Sequence, residues 1–139
     1  MIHKLLKDKR GGVDQYVSAV IAMLTLLALF VMISAGMKAM NAYNTLNDFG
    51  NELAVTVGNE GRCSGERVST RYNELVSATG ITPNVEYTAE YVDSEARTVQ
   101  YGDTITLRLS MQTSISALKI SIPISLSITK SVTSQQYWK

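Results

Sequence analysis

The 139-residue sequence is poor in the residues that most chemistry needs: it has one Cys, one His and two Pro. A single Cys, Cys63, excludes an internal disulfide framework and any zinc site built from a cysteine cluster. A single His, His3, removes most of the constellations that turn on an imidazole. Charge of one sign is also missing: 13 Lys/Arg against 12 Asp/Glu leave a formal net charge of +1. That balance excludes a strongly basic nucleic-acid binder on bulk charge, and no nucleic-acid binding is expected. The sequence carries no P-loop, no dinucleotide glycine fingerprint and no HExxH helix.

What it does have is a long apolar run near the start. Between Val17 and Met37 no residue is charged, and only Ser18, Thr25 and Ser34 are polar. As a helix at ~1.5 Å per residue this run reaches about 32 Å, close to the ~30 Å hydrocarbon core of a bilayer. A hydroxyl can return its bond to a carbonyl one turn back, so none of the three forbids lipid. The segment is read as a single transmembrane helix. A cleaved secretory signal has a shorter apolar core, although Ser34-Ala35-Gly36 offers a weak cleavage site. Lys4, Lys7, Lys9 and Arg10 precede the run, whereas only Lys38 follows closely. The positive-inside rule then predicts a cytoplasmic N-terminus and an exported C-terminal part.

Beyond Lys38, Met40, Tyr43, Leu46, Phe49, Leu53 and Val57 recur at helical spacing, opposite an Asn-rich face. The economical expectation is one helix from about residue 13 to about 58, with Gly50 its weak point and Gly58 and Gly61 its stop. A membrane-surface helix would want Lys/Arg on its polar face, so packing on the chain's own sheet is expected. Ser64 can cap a second helix whose face carries Val68, Tyr72, Leu75 and Val76, with Gly80 ending it. Period-two patterning follows, from Val85 to Tyr91, in a short return at Thr98–Tyr101, from Ile105 to Ile115, and from Ile120 to Ile128. Pro123 cannot donate to a ladder and marks an edge strand or a bulge. The expected fold class is α+β: a long N-terminal helix laid across a small antiparallel meander. The predicted divisions are a basic leader (1–12), a transmembrane helix (13–37), an amphipathic extension (38–61) and an exported α+β domain (62–139).

Catalysis is not expected. The only His lies on the predicted cytoplasmic side, and a strand-borne Ser near Lys119 or Lys130 usually marks a wet face. Glu86 and Glu90 read as solvated, and Cys63 as a free loop thiol or one that pairs with another chain. No cofactor or metal is implied.

The most informative motif is at the front. The basic MIHKLLKDKR is followed by Gly11-Gly12, then Val13-Asp14-Gln15-Tyr16 and the apolar helix. This resembles a prepilin leader, and the whole plan resembles the type IV pilin-like superfamily, most of all its TadE-like pseudopilins. The stretches GDTITLRLS and ISIPISLSITKSV resemble the strand pattern of those chains. The resemblance implies a structural subunit of a surface filament, secretion or conjugation apparatus. It also implies processing by a prepilin peptidase at Gly11 or Gly12, and assembly by an ATPase with its membrane platform alongside other pilin-like subunits. Asp14 is then the acidic candidate for register between subunits, with Tyr16 beside it. An unpaired carboxylate near hydrocarbon is expensive, and a neighbour's new α-amino group could neutralise it. Ser18 with Ala22, and Ala35 with Ala39, sit four apart as small residues that let membrane helices approach. Two alternatives stay open. Gly11-Gly12 could be a flexible joint, and the chain could be a permanently anchored accessory protein that binds a cell-envelope component.

Overall fold

The computed structural model describes residues 2–117 and 119–139, with side chains for 12–116 and 119–139. Lys4, Lys7, Lys9, Arg10 and Gly11, on which the expected orientation and processing rest, lie outside the residues whose side chains are described. The chain is α+β, with a 59-residue helix α1 (Ile2–Glu60) and a short helix α2 (Glu66–Thr79). Three strands follow, β1 (Asn84–Thr88), β2 (Thr104–Ala117) and β3 (Ile120–Thr133), in one antiparallel sheet of order β1-β2-β3.

The second half of α1 supplies much of the core. Leu46, Phe49, Leu53 and Val57 are fully buried against Ile105, Leu107 and Leu109 of β2 and Ile128 of β3. The expected stripe is therefore right from Leu46 onward, but Met40 and Tyr43 are 65% and 47% exposed. Steps of three residues fall about 60° short of a full turn. Three such steps carry Met40 to the far side of the helix from Phe49.

Two glycines on α1 also differ from expectation. Gly50 and Gly58 are buried helical positions where the sheet comes closest: a Cβ at Gly50 would lie 2.7 Å from Ile128 Cδ1, and one at Gly58 only 2.5 Å from Val132 Cγ2. Gly58 is thus a packing position inside the helix and not its stop. The helix ends at Glu60, and Gly61, at φ 59°, donates its N–H back to the Val57 carbonyl at 2.9 Å.

Helix α2 lies against α1 and not on the sheet. Tyr72 meets Phe49 edge-on at 5.4 Å and donates its hydroxyl to the Pro83 carbonyl. Arg71 bridges Glu52 of α1 and Glu74 of α2. Gly80 closes the helix in the left-handed region. Ser64 does not cap it. Gly65 holds the cap position with an extreme φ of 136°, and the Ser64 hydroxyl donates instead to the Ala96 carbonyl at 3.0 Å.

The sheet is a meander with one wet face. Ile105, Leu107 and Leu109 point inward, while Thr104 and Arg108 are exposed. Strand β1 ends at Thr88, because its ladder covers only Thr106–Ser110 of β2. The expected return strand at Thr98–Tyr101 is reduced to isolated bridges from Thr98 to Arg62 and Asp93. Val99 is drawn instead to the helix end, donating to the Gly61 carbonyl at 2.8 Å. Pro123 lies on β3, an edge strand, as its missing N–H requires.

Candidate functional site

Every described residue from Gly12 to Phe30 is exposed, including Tyr16 at 73% and Phe30 at 69%. No other part of the chain covers this stretch among the described residues. It belongs to the one helix, among the described residues, that is long and apolar enough to cross a membrane. An apolar face this large cannot face water without a partner. The helical period places Asp14, Ser18, Ala22 and Thr25 on one face, and Tyr16 about 160° away. Thr25 settles its hydroxyl on the Ile21 carbonyl at 2.9 Å, so this polar group carries no cost in lipid. The sequence-predicted residues Asp14, Ser18 and Ala22 are thus brought to one stripe, and Tyr16 is not. Gly12 lies within the helix.

A family model, described as a domain of unknown function (DUF4320), matches residues 20–139. The chain belongs to this family. No curated protein and no solved structure matches it. The DUF4320 match opens at Val20, inside the exposed helix, and runs through the whole cap, the α+β unit formed by the second half of α1, α2 and the sheet. Ala22 falls within it, while Gly11, Gly12, Asp14, Tyr16 and Ser18 precede it.

At the head of the DUF4320 chain a polar latch ties the C-terminus to the end of α1. The Trp138 indole donates to the Gly61 carbonyl at 3.1 Å, and Arg62 sits 4.9 Å over the Trp138 ring. Gln136 reaches the Asn59 carbonyl, and the buried Ser134 hydroxyl donates to the Val99 carbonyl at 2.8 Å. Sequence reasoning put no weight on these residues. A latch of this kind joins positions 35 or 77 residues apart and leaves no local signal.

Cys63 is free, as the loop-thiol reading expected, and it is buried. Burial pushes its thiol above the ordinary value, against the opposing pull of a Tyr91 hydrogen bond and the Arg97 charge. Tyr87 beside it is pushed up to about 12, first by burial and then by charge developing on Cys63. A thiol held protonated is a poor nucleophile. Among the described residues no three His, Cys, Asp or Glu side chains gather as a metal site. A groove of about 730 Å³ opens where β1 begins, between Gly80–Asn84 and the Met111–Thr113 stretch of β2.

Proposed function

We propose that this chain is a pilin-like structural subunit that is anchored in a membrane through the first half of α1 and assembles with sibling chains through that same surface. The observation that carries this reading is continuity: α1 runs without a break from the exposed apolar stretch into the core of the cap. A tether has no need of stiffness between anchor and domain. A subunit that must hold its cap at a fixed place along a helical bundle does. Burial of the exposed side chains between Val13 and Phe30 would supply the cohesion, in lipid first and among neighbouring helices afterwards.

In this reading Gly11 or Gly12 marks the bond that a prepilin peptidase cuts. Asp14 then pairs with the new α-amino group of a neighbour, and the Ser18/Ala22 stripe allows close approach. The N-terminus is cytoplasmic and the cap faces outward. The partners are the peptidase, an assembly ATPase with its platform, and other pilin-like chains. No catalytic role is assigned to the cap.

N-terminal mass spectrometry of the chain purified from cells tests the processing. A mature N-terminus at Gly12 or Val13 is expected, and sheared surface material should contain the cut form. A chain that keeps Met1 would instead support a permanent anchor, with the groove beside Met111 as the place where its cap holds an envelope component.

A further inference from the structure

Strand β3 and α1 run in the same direction where they meet at Gly50 and Gly58. Gly50 sits on Ile128 and Gly58 on Val132, so eight helix residues match four strand residues. This agrees with rises of about 1.5 and 3.3 Å per residue. Followed back down at two helix residues per strand residue, Ile122 comes level with Lys38 and Ile120 with Ser34 of α1. Burial along the helix gives the same answer independently. All described residues up to Phe30 are exposed, and the first half-buried ones are Val31, Ser34, Ala35, Ala39 and Ala42. These sit at helical spacing below Leu46 on the covered face. The hairpin of β2 and β3 therefore hangs beside the last turns of the apolar span.

Among the described residues this overhang has no third strand beside it. Strand β1 stops at Ser110 of β2, so Met111–Ala117 pairs with β3 alone. Its inner face carries Ile115, buried against the molecule, together with Ile120 and Ile122, which remain 65% and 58% exposed. Lys119, at φ 67°, stands exposed in the turn. Ser114, Ser116 and Ser121 form the outer face.

We propose that the tip of this hairpin is a second membrane contact, in which Ile120 and Ile122 enter the interfacial layer at the C-terminal end of the span. Lys119 reaches the lipid phosphates, as long cationic side chains do at that depth. The occupant of the exposed face is lipid because that face continues the surface of the membrane-crossing helix at the same level. The contact also fixes depth. Open ladder edges cannot enter hydrocarbon, so the hairpin halts the helix at about Ile33. A hydrocarbon core of ~30 Å then reaches back to about Val13 and leaves Asp14 at the opposite boundary. The inference rests on α1 spanning the bilayer and not on processing or filament assembly.

Spin labels on the full chain in phospholipid vesicles test it. Ile120→Cys, Ile122→Cys, Thr129→Cys and Leu24→Cys are labelled with Cys63 left in place, since that buried thiol should stay unlabelled in the otherwise unaltered chain. Collisions with oxygen should exceed those with a nickel complex at 24, 120 and 122, with the reverse at 129. Labels at 120 and 122 as open to nickel as 129 would overturn the proposal. So would labels shielded from both reagents, which would place a second copy of the chain there. A lipid-exposed 24 beside an aqueous 120 sinks the tip contact alone, whereas an aqueous 24 sinks the membrane anchor as well.

Discussion

Gln100 and Trp138 hold each other at both ends of one amide. The Trp138 backbone N–H donates to Gln100 Oε1 at 2.8 Å, and Gln100 Nε2 donates back to the Trp138 carbonyl at 3.1 Å. This pair fixes the last residues of the chain on the loop that joins β1 to β2. A neutral hydrogen bond contributes roughly 1 kcal/mol net. Gln100→Ala should therefore destabilise the cap by about 2 kcal/mol, a fall in Tm of about 8–16 °C for a domain of this size. Trp138 is the sole tryptophan, so its fluorescence reports on the latch. The variant's emission should shift to the red before global unfolding. An unchanged Tm and emission would show that the latch contributes nothing.

Gly50 and Gly58 face the same sheet and should respond differently to the same methyl group. Alanine for glycine inside a helix gains up to about 1 kcal/mol. At Gly50 the new Cβ meets the flexible end of Ile128 and then Lys130 Cγ at 3.3 Å, both of which can move. At Gly58 it meets stiff, branched Val132 and the Thr133 carbonyl at 3.1 Å, which is backbone. Gly50→Ala should be near neutral, and Gly58→Ala should cost about 1–3 kcal/mol. Thermal unfolding of the two variants in one detergent decides the order, and equal effects would contradict the close approach at Val132.

The fold was legible where burial is one-sided and regular. The period-two runs named the inward residues Ile105, Leu107 and Leu109, and the stripe from Leu46 to Val57 named the helical cover. Legibility failed where contact distance, not apolar bulk, sets the residue. Gly50 and Gly58 read as a weak point and a stop because a sequence does not show what lies opposite a missing side chain. Ala35, Ala39 and Ala42 are half-buried, whereas the bulky Met40 nearby is exposed on another face. Ser64 read as a cap because it precedes a helix, but its hydroxyl found a carbonyl 32 residues away. In the candidate site, helical geometry placed Asp14, Ser18 and Ala22 together from spacing alone. The hairpin beside the span depends on strand lengths and on where β1 stops, and residue types carry neither.

Stability should fall in alkali through Tyr87. Its phenol ionises at about 12 in the fold against 10.0 ordinarily, so below pH 10 both states keep the proton and the stability is whole. Between pH 10 and 12 the unfolded chain loses the proton first, which favours unfolding progressively. The raised thiol of Cys63 acts in the same direction, beginning from its ordinary 9.0. Tyr87→Phe keeps the ring and removes the ionisation. Its Tm should drop less than that of the unaltered chain across this window and match it at neutral pH. Parallel curves would mean that Tyr87 is not held protonated by the fold.

The boundary between anchor and cap lies inside a single helix, which makes truncation decisive. Leu46, Phe49, Leu53, Ala54 and Val57 all come from α1 and all belong to the buried core. Removing one large core side chain costs about 2–5 kcal/mol, and a domain has only about 5–15 kcal/mol in total. A fragment 61–139, which begins where the helix ends, should be unfolded by circular dichroism and show collapsed amide dispersion by NMR. A fragment 38–139 keeps every fully buried residue and should fold without detergent, with Met40, Ile120, Ile122 and Tyr137 among its exposed apolar side chains. If 61–139 folded alone, the helix would be a separable tether. The rigid link between the exposed span and the cap, on which the subunit reading stands, would then have no structural necessity.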